Sequence, residues 1–68
     1  MQASIDDADL LIEFTRLGRV VKATAIDPRT LAEASIVGPA SAGEAALARA
    51  AAARLRWAAG RASRRGRG

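Results

Sequence analysis

Residues 20–28 read VVKATAIDP, and this stretch decides the fold. Its valines, threonine and isoleucine favour a strand, and its side chains alternate between apolar or small residues and polar ones. Asp27-Pro28 then predicts a turn, because an aspartate bonds the turn backbone and a proline presets the next φ. The stretch therefore reads as a strand that ends at a tight turn.

Similar short runs flank this strand on both sides. Residues 10–17 (LLIEFTRL) are rich in strand formers and stop at Gly18-Arg19, while residues 32–37 (AEASIV) stop at Gly38-Pro39. Three short runs separated by turn residues predict an antiparallel meander.

The turns also predict the register of this meander. A two-residue turn at Gly18-Arg19 places Phe14 opposite Ala23, and a four-residue loop over residues 28–31 places Ala23 opposite Ile36. Both assignments sort the side chains in the same way. One face collects Ile12, Phe14, Val21, Ala23, Ala25, Ala34 and Ile36. The opposite face is polar, with Leu11, Ile26 and Val37 at its margins.

The chain after Pro39 predicts a helix. Ser41 and Glu44 have the spacing of a capping box, which predicts the start of the helix. The helix formers alanine, leucine and arginine continue to residue 59, and Gly60 predicts the end of the helix. One helical stripe gathers Leu47, Ala51, Leu55, Ala58 and Ala62. We expect this stripe to pack on the Phe14 face.

These elements predict an α+β fold, a three-stranded antiparallel β-meander packed on one face by a C-terminal α-helix (β-β-β-α). Residues 10–59 form its single domain. Residues 1–9 are expected to be a flexible acidic N-terminus, and residues 60–68 a basic, disordered tail.

Charge divides the chain in two. All seven acidic residues lie at or before Glu44, whereas residues 45–68 hold seven arginines and no acid. Such asymmetry indicates an anionic partner for the C-terminal end, or a tail that is only solvated.

Trp57, the single tryptophan, stands among these arginines. An aromatic ring between guanidinium groups can stack on a nucleic-acid base while the arginines contact phosphates. The competing interpretation is that Trp57 covers the edge of the sheet and the arginines are solvated or stack on it. The candidate nucleic-acid-binding residues are Arg54, Trp57, Arg61, Arg64 and Arg65.

The composition argues against common enzyme chemistries. The chain has no cysteine and no histidine, so the usual zinc ligands and the usual activators of a serine nucleophile are missing. Its one lysine, Lys22, lies on the polar face, where nothing would desolvate it. We expect no catalytic residue, cofactor or metal, and, without a signal-like or membrane-spanning stretch, a cytoplasmic protein.

The stretch VKATAIDP at residues 21–28 and the stretch EASIVGPA at residues 33–40 resemble a family of short, uncharacterised bacterial proteins. Members of that family read VKVTAIDP, then a turn with a glycine, then EVSIVGP and a helix. The resemblance covers roughly residues 10–59 and implies the same fold. This chain departs from the pattern at Thr30-Leu31, where the family has the glycine, and in its arginine-rich tail.

Some members of the family carry the label serine hydroxymethyltransferase. A pyridoxal phosphate enzyme needs a deep pocket, a buried lysine and partners for its ring, and a chain of 68 residues is too small to form them. We therefore do not extend that label to this protein.

Two hypotheses of function follow. The first is a small non-enzymatic interaction module that binds a protein partner or itself through Leu11, Ile26 and Val37, because open sheet edges and exposed apolar residues invite another chain. The alternative is a nucleic-acid-associated protein that uses the arginine-rich helix and tail.

Overall fold

The computed structural model describes residues 9–67, with side chains described up to residue 60. Strands β1 (Leu11–Leu17), β2 (Val20–Ile26) and β3 (Glu33–Pro39) are followed by a 3₁₀ turn (Ala40–Ala42) and helix α1 (Glu44–Arg67). The strands form one antiparallel sheet in the order β1-β2-β3, and α1 packs on one face of it. The predicted β-β-β-α architecture is confirmed.

The predicted register is also confirmed. Phe14 pairs with Ala23, and Ala23 pairs with Ile36 on its other side. Between β1 and β2, Gly18 has a φ of +65° whereas Arg19 has a negative φ. This combination is typical of a type II′ hairpin turn, which favours glycine at its first central position because that position requires a positive φ.

The loop between β2 and β3 is organised by Asp27. Its backbone N–H donates to the carbonyl of Ala32 at 2.9 Å, and its own carbonyl accepts the N–H of Leu31 at 2.7 Å. Its carboxylate accepts the backbone N–H of Arg29 at 2.9 Å, and the Arg29 guanidinium lies 3.4 Å away. These bonds, the backbone one first, hold the pKa of the Asp27 carboxyl below its ordinary value.

Leu31 has a left-handed conformation in this loop, with a φ of +65°. A Cβ atom is unfavourable there, and glycine is the residue that usually occupies such positions. Leu31 is therefore a strained residue in the loop between β2 and β3.

The core lies between α1 and the middle of the sheet. Ala23 and Ala25 of β2 are fully buried and, being small, let the helix approach closely. The helix contributes Leu47, Ala51, Ala52 and Leu55 to this core. One member of the predicted stripe differs: Ala58 is exposed, because α1 has passed the last turn that the sheet buries. The side chain of Ala62 lies outside the described residues.

Gly38 and Pro39 belong to β3, so the prediction that the strand ends at residue 37 is wrong. A Cβ atom on Gly38 would lie 2.6 Å from Leu47 Cδ2, which is closer than packed atoms approach. Gly38 thus allows the first turns of α1 to pack closely against β3.

Both ends of α1 differ from the prediction. The helix starts at Glu44 directly after Gly43, whose carbonyl accepts the N–H of Leu47 at 3.2 Å, while Ser41 lies in the 3₁₀ turn instead of at the N-cap. At the other end the backbone stays helical through Gly60 to Arg67. Disorder of residues 60–68 stays a prediction, and the predicted flexible N-terminus lies, apart from Asp9, outside the described residues. No helix in the described part of the chain has the length and apolar character to cross a membrane.

Candidate interaction surface

Helix α1 covers only part of its face of the sheet. It packs mainly against β3 and β2, and β1 stays exposed at every position except Ile12, which is half-buried. Phe14 shows the effect most clearly. Its side chain lies on the helix side of the sheet, yet 36% of its surface is accessible. An aromatic ring on the core face of a small domain is normally covered, so α1 leaves the β1 part of this face uncovered.

The backbone of β1 presents free hydrogen-bonding groups along its outer side. On either side of β2, the carbonyl of Arg19 accepts from Ala40 and the N–H of Asp27 donates to Ala32. The odd-numbered residues of β2 between them therefore bond towards β3. Since the bonding direction alternates along a strand, the even-numbered residues of β2 bond towards β1. Their partners are the odd-numbered residues of β1. The N–H and C=O groups of Ile12, Phe14 and Arg16 therefore point away from the sheet, and we name these three residues the open edge.

The other edge strand is protected. By the same alternation, β3 turns the backbone groups of Glu33, Ser35, Val37 and Pro39 outwards. Proline has no N–H to donate, so the end of this edge cannot pair fully with another strand. The open edge has neither a proline nor a glycine.

The outer face is the face of the sheet opposite α1. It carries Leu11, Glu13, Thr15, Leu17, Val20, Lys22, Thr24, Ile26, Glu33, Ser35, Val37 and Pro39. The most accessible apolar side chains of this face are Leu11 at one end, at 56%, and Val37 and Leu17 towards the other end, at 62% and 53%. A polar row separates these ends, in which the Thr24 and Ser35 hydroxyls share a hydrogen bond of 2.7 Å.

The predicted partner-binding residues all lie on the outer face, but not together. Leu11 and Ile26 pair directly, whereas Val37 pairs with Lys22, four residues along the sheet from Ile26. At ~3.3 Å per residue this places Val37 about 13 Å along the strands from Ile26. Val37 instead lies diagonally across from Val20, whose direct partner on β1 is Leu17, and sequence reasoning had left out both Val20 and Leu17. Their position next to the hairpin turn, on a face that otherwise reads as polar, was the signal for them.

The second predicted set lies on α1. The Arg54 guanidinium stacks over the Trp57 ring at 5.2 Å from its centroid, and Trp57 is 51% accessible. Stacking of an arginine on the ring is part of one interpretation that the sequence left open. The side chains of Arg61, Arg64 and Arg65 lie outside the described residues. Of the five predicted residues, the structure therefore places only the side chains of Arg54 and Trp57.

Acidic residues are scattered over the described part of the chain. Nowhere among these residues do three histidine, cysteine, aspartate or glutamate side chains come together as metal ligands would. The prediction of a protein without metal, cofactor or catalytic residues stays a prediction.

Comparison with known proteins gives one match. The family model described as Domain of unknown function (DUF6898) matches residues 7–62. The chain therefore belongs to this family, which is consistent with the resemblance to uncharacterised proteins. No curated protein and no solved structure matches the chain.

Proposed function

We propose that this protein is a small, non-enzymatic interaction module that receives a strand of another polypeptide chain at the open edge. One observation carries the proposal, namely that the backbone groups of Ile12, Phe14 and Arg16 point away from the sheet while β1 is exposed along its length. Strand addition to such an edge supplies main-chain hydrogen bonds, and the side chains beside it supply selectivity.

The side chains along β1 favour this mode of binding. Phe14 on the helix side and Leu11 and Leu17 on the outer face are apolar and accessible. A strand added next to β1 would cover all three, and each aliphatic or aromatic side chain fully removed from water contributes roughly 1.5–3 kcal/mol. Natural proteins usually blunt an edge of this kind with proline, lysine or a bulge. The absence of these protective features from the open edge supports a role for β1 in binding.

Proline substitution tests the edge without touching the core. Arg16→Pro removes an N–H that makes no bond inside the sheet, and Val37→Pro removes the equivalent N–H on β3. We expect sedimentation velocity of the parent chain to show mass rising with concentration from the micromolar to the millimolar range. Arg16→Pro should abolish this rise, whereas Val37→Pro should retain it. A strictly monomeric parent, or equal losses in the two variants, would count against self-association through the open edge.

Nucleic-acid binding is a second candidate, favoured by the accessible Arg54–Trp57 stack on α1. The guanidinium lies over the indole, and 51% of the Trp57 surface is accessible. Binding of this kind should be tolerant of sequence and should fall steeply with salt, because counterions are released from each contacted phosphate.

The lone tryptophan makes this candidate easy to test. We would record Trp57 emission while titrating short RNA and DNA at low and moderate salt. A salt-reversible quench that Arg54→Ala weakens, and that Arg16→Ala on β1 leaves unchanged, would support it. An unchanged emission together with no retention of labelled RNA or DNA would reject it.

A further inference from the structure

We infer that the open edge is completed by a second copy of this chain, with β1 paired antiparallel to β1 and Phe14 facing Phe14 across a two-fold axis. This inference rests on the proposed function and names its partner. It follows from the hydrogen-bonding phase of β1 and from the order of its side chains.

The alternating direction of the backbone N–H and C=O groups in β1 restricts the registers in which two copies can pair. Two antiparallel strands exchange hydrogen bonds only between residues whose N–H and C=O groups both point to the shared edge. Those residues in β1 are Ile12, Phe14 and Arg16. The symmetric registers near the middle of the strand are therefore three, in which Glu13 faces Glu13, Phe14 faces Phe14, or Thr15 faces Thr15.

The Phe14 register is the one in which the seven residues of β1 all find a partner, because Phe14 is the central residue of Leu11–Leu17. The other two registers leave two residues of each strand unpaired. The Glu13 register also sets two carboxylates directly opposite each other, which is destabilising. In the Phe14 register Glu13 faces Thr15, and the two Glu13 side chains are only diagonal neighbours, at roughly 7–8 Å between Cα atoms.

The side chains of β1 are self-complementary in this register. Leucine stands three residues before Phe14 and three residues after it, so Leu11 of each copy faces Leu17 of the other. Within one chain, Leu11 pairs with Ile26 and Leu17 pairs with Val20. The pairing therefore joins each apolar end of the outer face to the opposite end in the other copy, and forms two symmetry-related apolar rows that cross both copies.

Phe14 gains the cover that α1 does not give it. A two-fold axis perpendicular to the sheet keeps both helices on the same face, with the two phenyl rings adjacent between them. Aromatic cross-strand pairs are among the stabilising pairs in antiparallel sheets. Isologous pairing uses each open edge once, and the new outer edges are the two β3 strands that end in Pro39. Association therefore stops at a dimer with a six-stranded sheet.

Single cysteine substitutions distinguish the three registers, since the parent chain has no cysteine. Glu13→Cys and Thr15→Cys both change exposed outer-face positions, so neither variant disturbs the core. Each variant alone, and an equimolar mixture of the two, would be oxidised under identical conditions and separated on a non-reducing gel. Circular dichroism melts would confirm that both variants stay folded.

We expect the disulfide-linked dimer to form in the mixture and to stay at background in either variant alone, because position 13 of one copy would face position 15 of the other. Rapid linkage of Glu13→Cys alone or of Thr15→Cys alone would identify another register and overturn the inference. Absence of linkage in all three samples would also overturn it.

Hydrogen exchange gives an independent readout on the parent chain. The amides of Ile12, Phe14 and Arg16 should become protected as concentration rises, while the outward amides of Ser35 and Val37 should not. Equal protection on both edges, or on neither, would overturn the inference. A parent that self-associates but fails the cysteine test would leave strand addition at the open edge intact and overturn only this pairing geometry. A monomeric parent would overturn the inference that a second copy binds there, without excluding a strand from a different polypeptide.

Discussion

The two edge strands of this sheet are equal in length but differ in almost everything else. In β3, alternate side chains are half-buried beneath α1, whereas β1 is exposed at all positions but one. The reason is connectivity. Only the 3₁₀ turn of Ala40–Ala42 and Gly43 separate β3 from α1, so the helix folds back along β3.

The width of a helix completes the explanation. An α-helix is about 10 Å across with its side chains, and strands lie about 4.8 Å apart, so one helix covers roughly two strands. In a three-stranded sheet the strand farthest from the helix connection is left open. The packing of α1 therefore covers β2 and β3 and leaves β1 accessible to solvent.

The largest expected effect is a contrast between two leucine truncations. Leu55 is 2% accessible against the sheet, so Leu55→Ala should destabilise the fold by about 2–5 kcal/mol, from lost burial and the cavity left behind. Leu17→Ala, on the open strand, should cost less than about 1 kcal/mol. Urea unfolding followed by Trp57 fluorescence would measure both. Equal losses would show that β1 is as deeply integrated as β3.

A pair of glycine substitutions tests the close approach of α1 to β3. Gly38→Ala should destabilise by about 1–3 kcal/mol, because its methyl group would collide with the buried Leu47. Gly60→Ala is the matched control, since nothing lies near that position and alanine is the better helix former by about 1 kcal/mol. The control should therefore stabilise or leave stability unchanged. A neutral Gly38→Ala would mean that the helix can shift away without cost.

Acid should weaken the loop that connects the two covered strands. The pKa of Asp27 is lowered in the folded state, chiefly by the backbone N–H of Arg29. Its contribution to stability is therefore present above the unfolded pKa of about 3.9, and is lost as pH falls through the lower folded pKa. The parent chain should lose this contribution below about pH 4, whereas Asp27→Asn should lack that part of the pH dependence. Parallel urea titrations of both proteins would show whether their difference in stability narrows in acid.

The smallest expected effect is a gain at Leu31. The left-handed φ of this exposed residue is unfavourable for a side chain with a Cβ atom, so Leu31→Gly should stabilise the fold by about 1 kcal/mol or less. A rise in the thermal midpoint would measure it. Thr30→Gly, the neighbouring position without a left-handed φ, is the control and should be neutral or destabilising. The reverse ranking would place the strain at Thr30.

Much of the fold was predictable from local signals. Turn chemistry at Gly18-Arg19 and at Asp27-Pro28 fixed the two loop lengths, and the loop lengths fixed the register. The ends of β3 and α1 were predicted less well. Gly38 and Gly60 were interpreted as the ends of β3 and α1. Gly38 is instead required for close packing and Gly60 is tolerated within the helix, but in the sequence both resemble a glycine that ends an element.

The candidate site was predictable only in part. Leu11, Ile26 and Val37 were correctly placed on the outer face, since alternation along a strand is a local property. Their grouping was not predicted correctly, because Leu11 and Ile26 pair at one end of the sheet whereas Val37 pairs with Lys22, nearer to the end where Leu17 pairs with Val20. The arginine and tryptophan side chains on α1 are adjacent through helical spacing alone, so Arg54 and Trp57 were found together.

The amino-acid sequence by itself determined the order of the elements, the pairing of the strands and the face of the sheet on which each side chain lies. All three depend on neighbours within a few residues or on the length of a turn. Which strand would remain open was decided only by the tertiary structure. That outcome depends on the direction in which α1 leaves β3 and on how few strands a single helix can cover, and both are properties of packing in three dimensions.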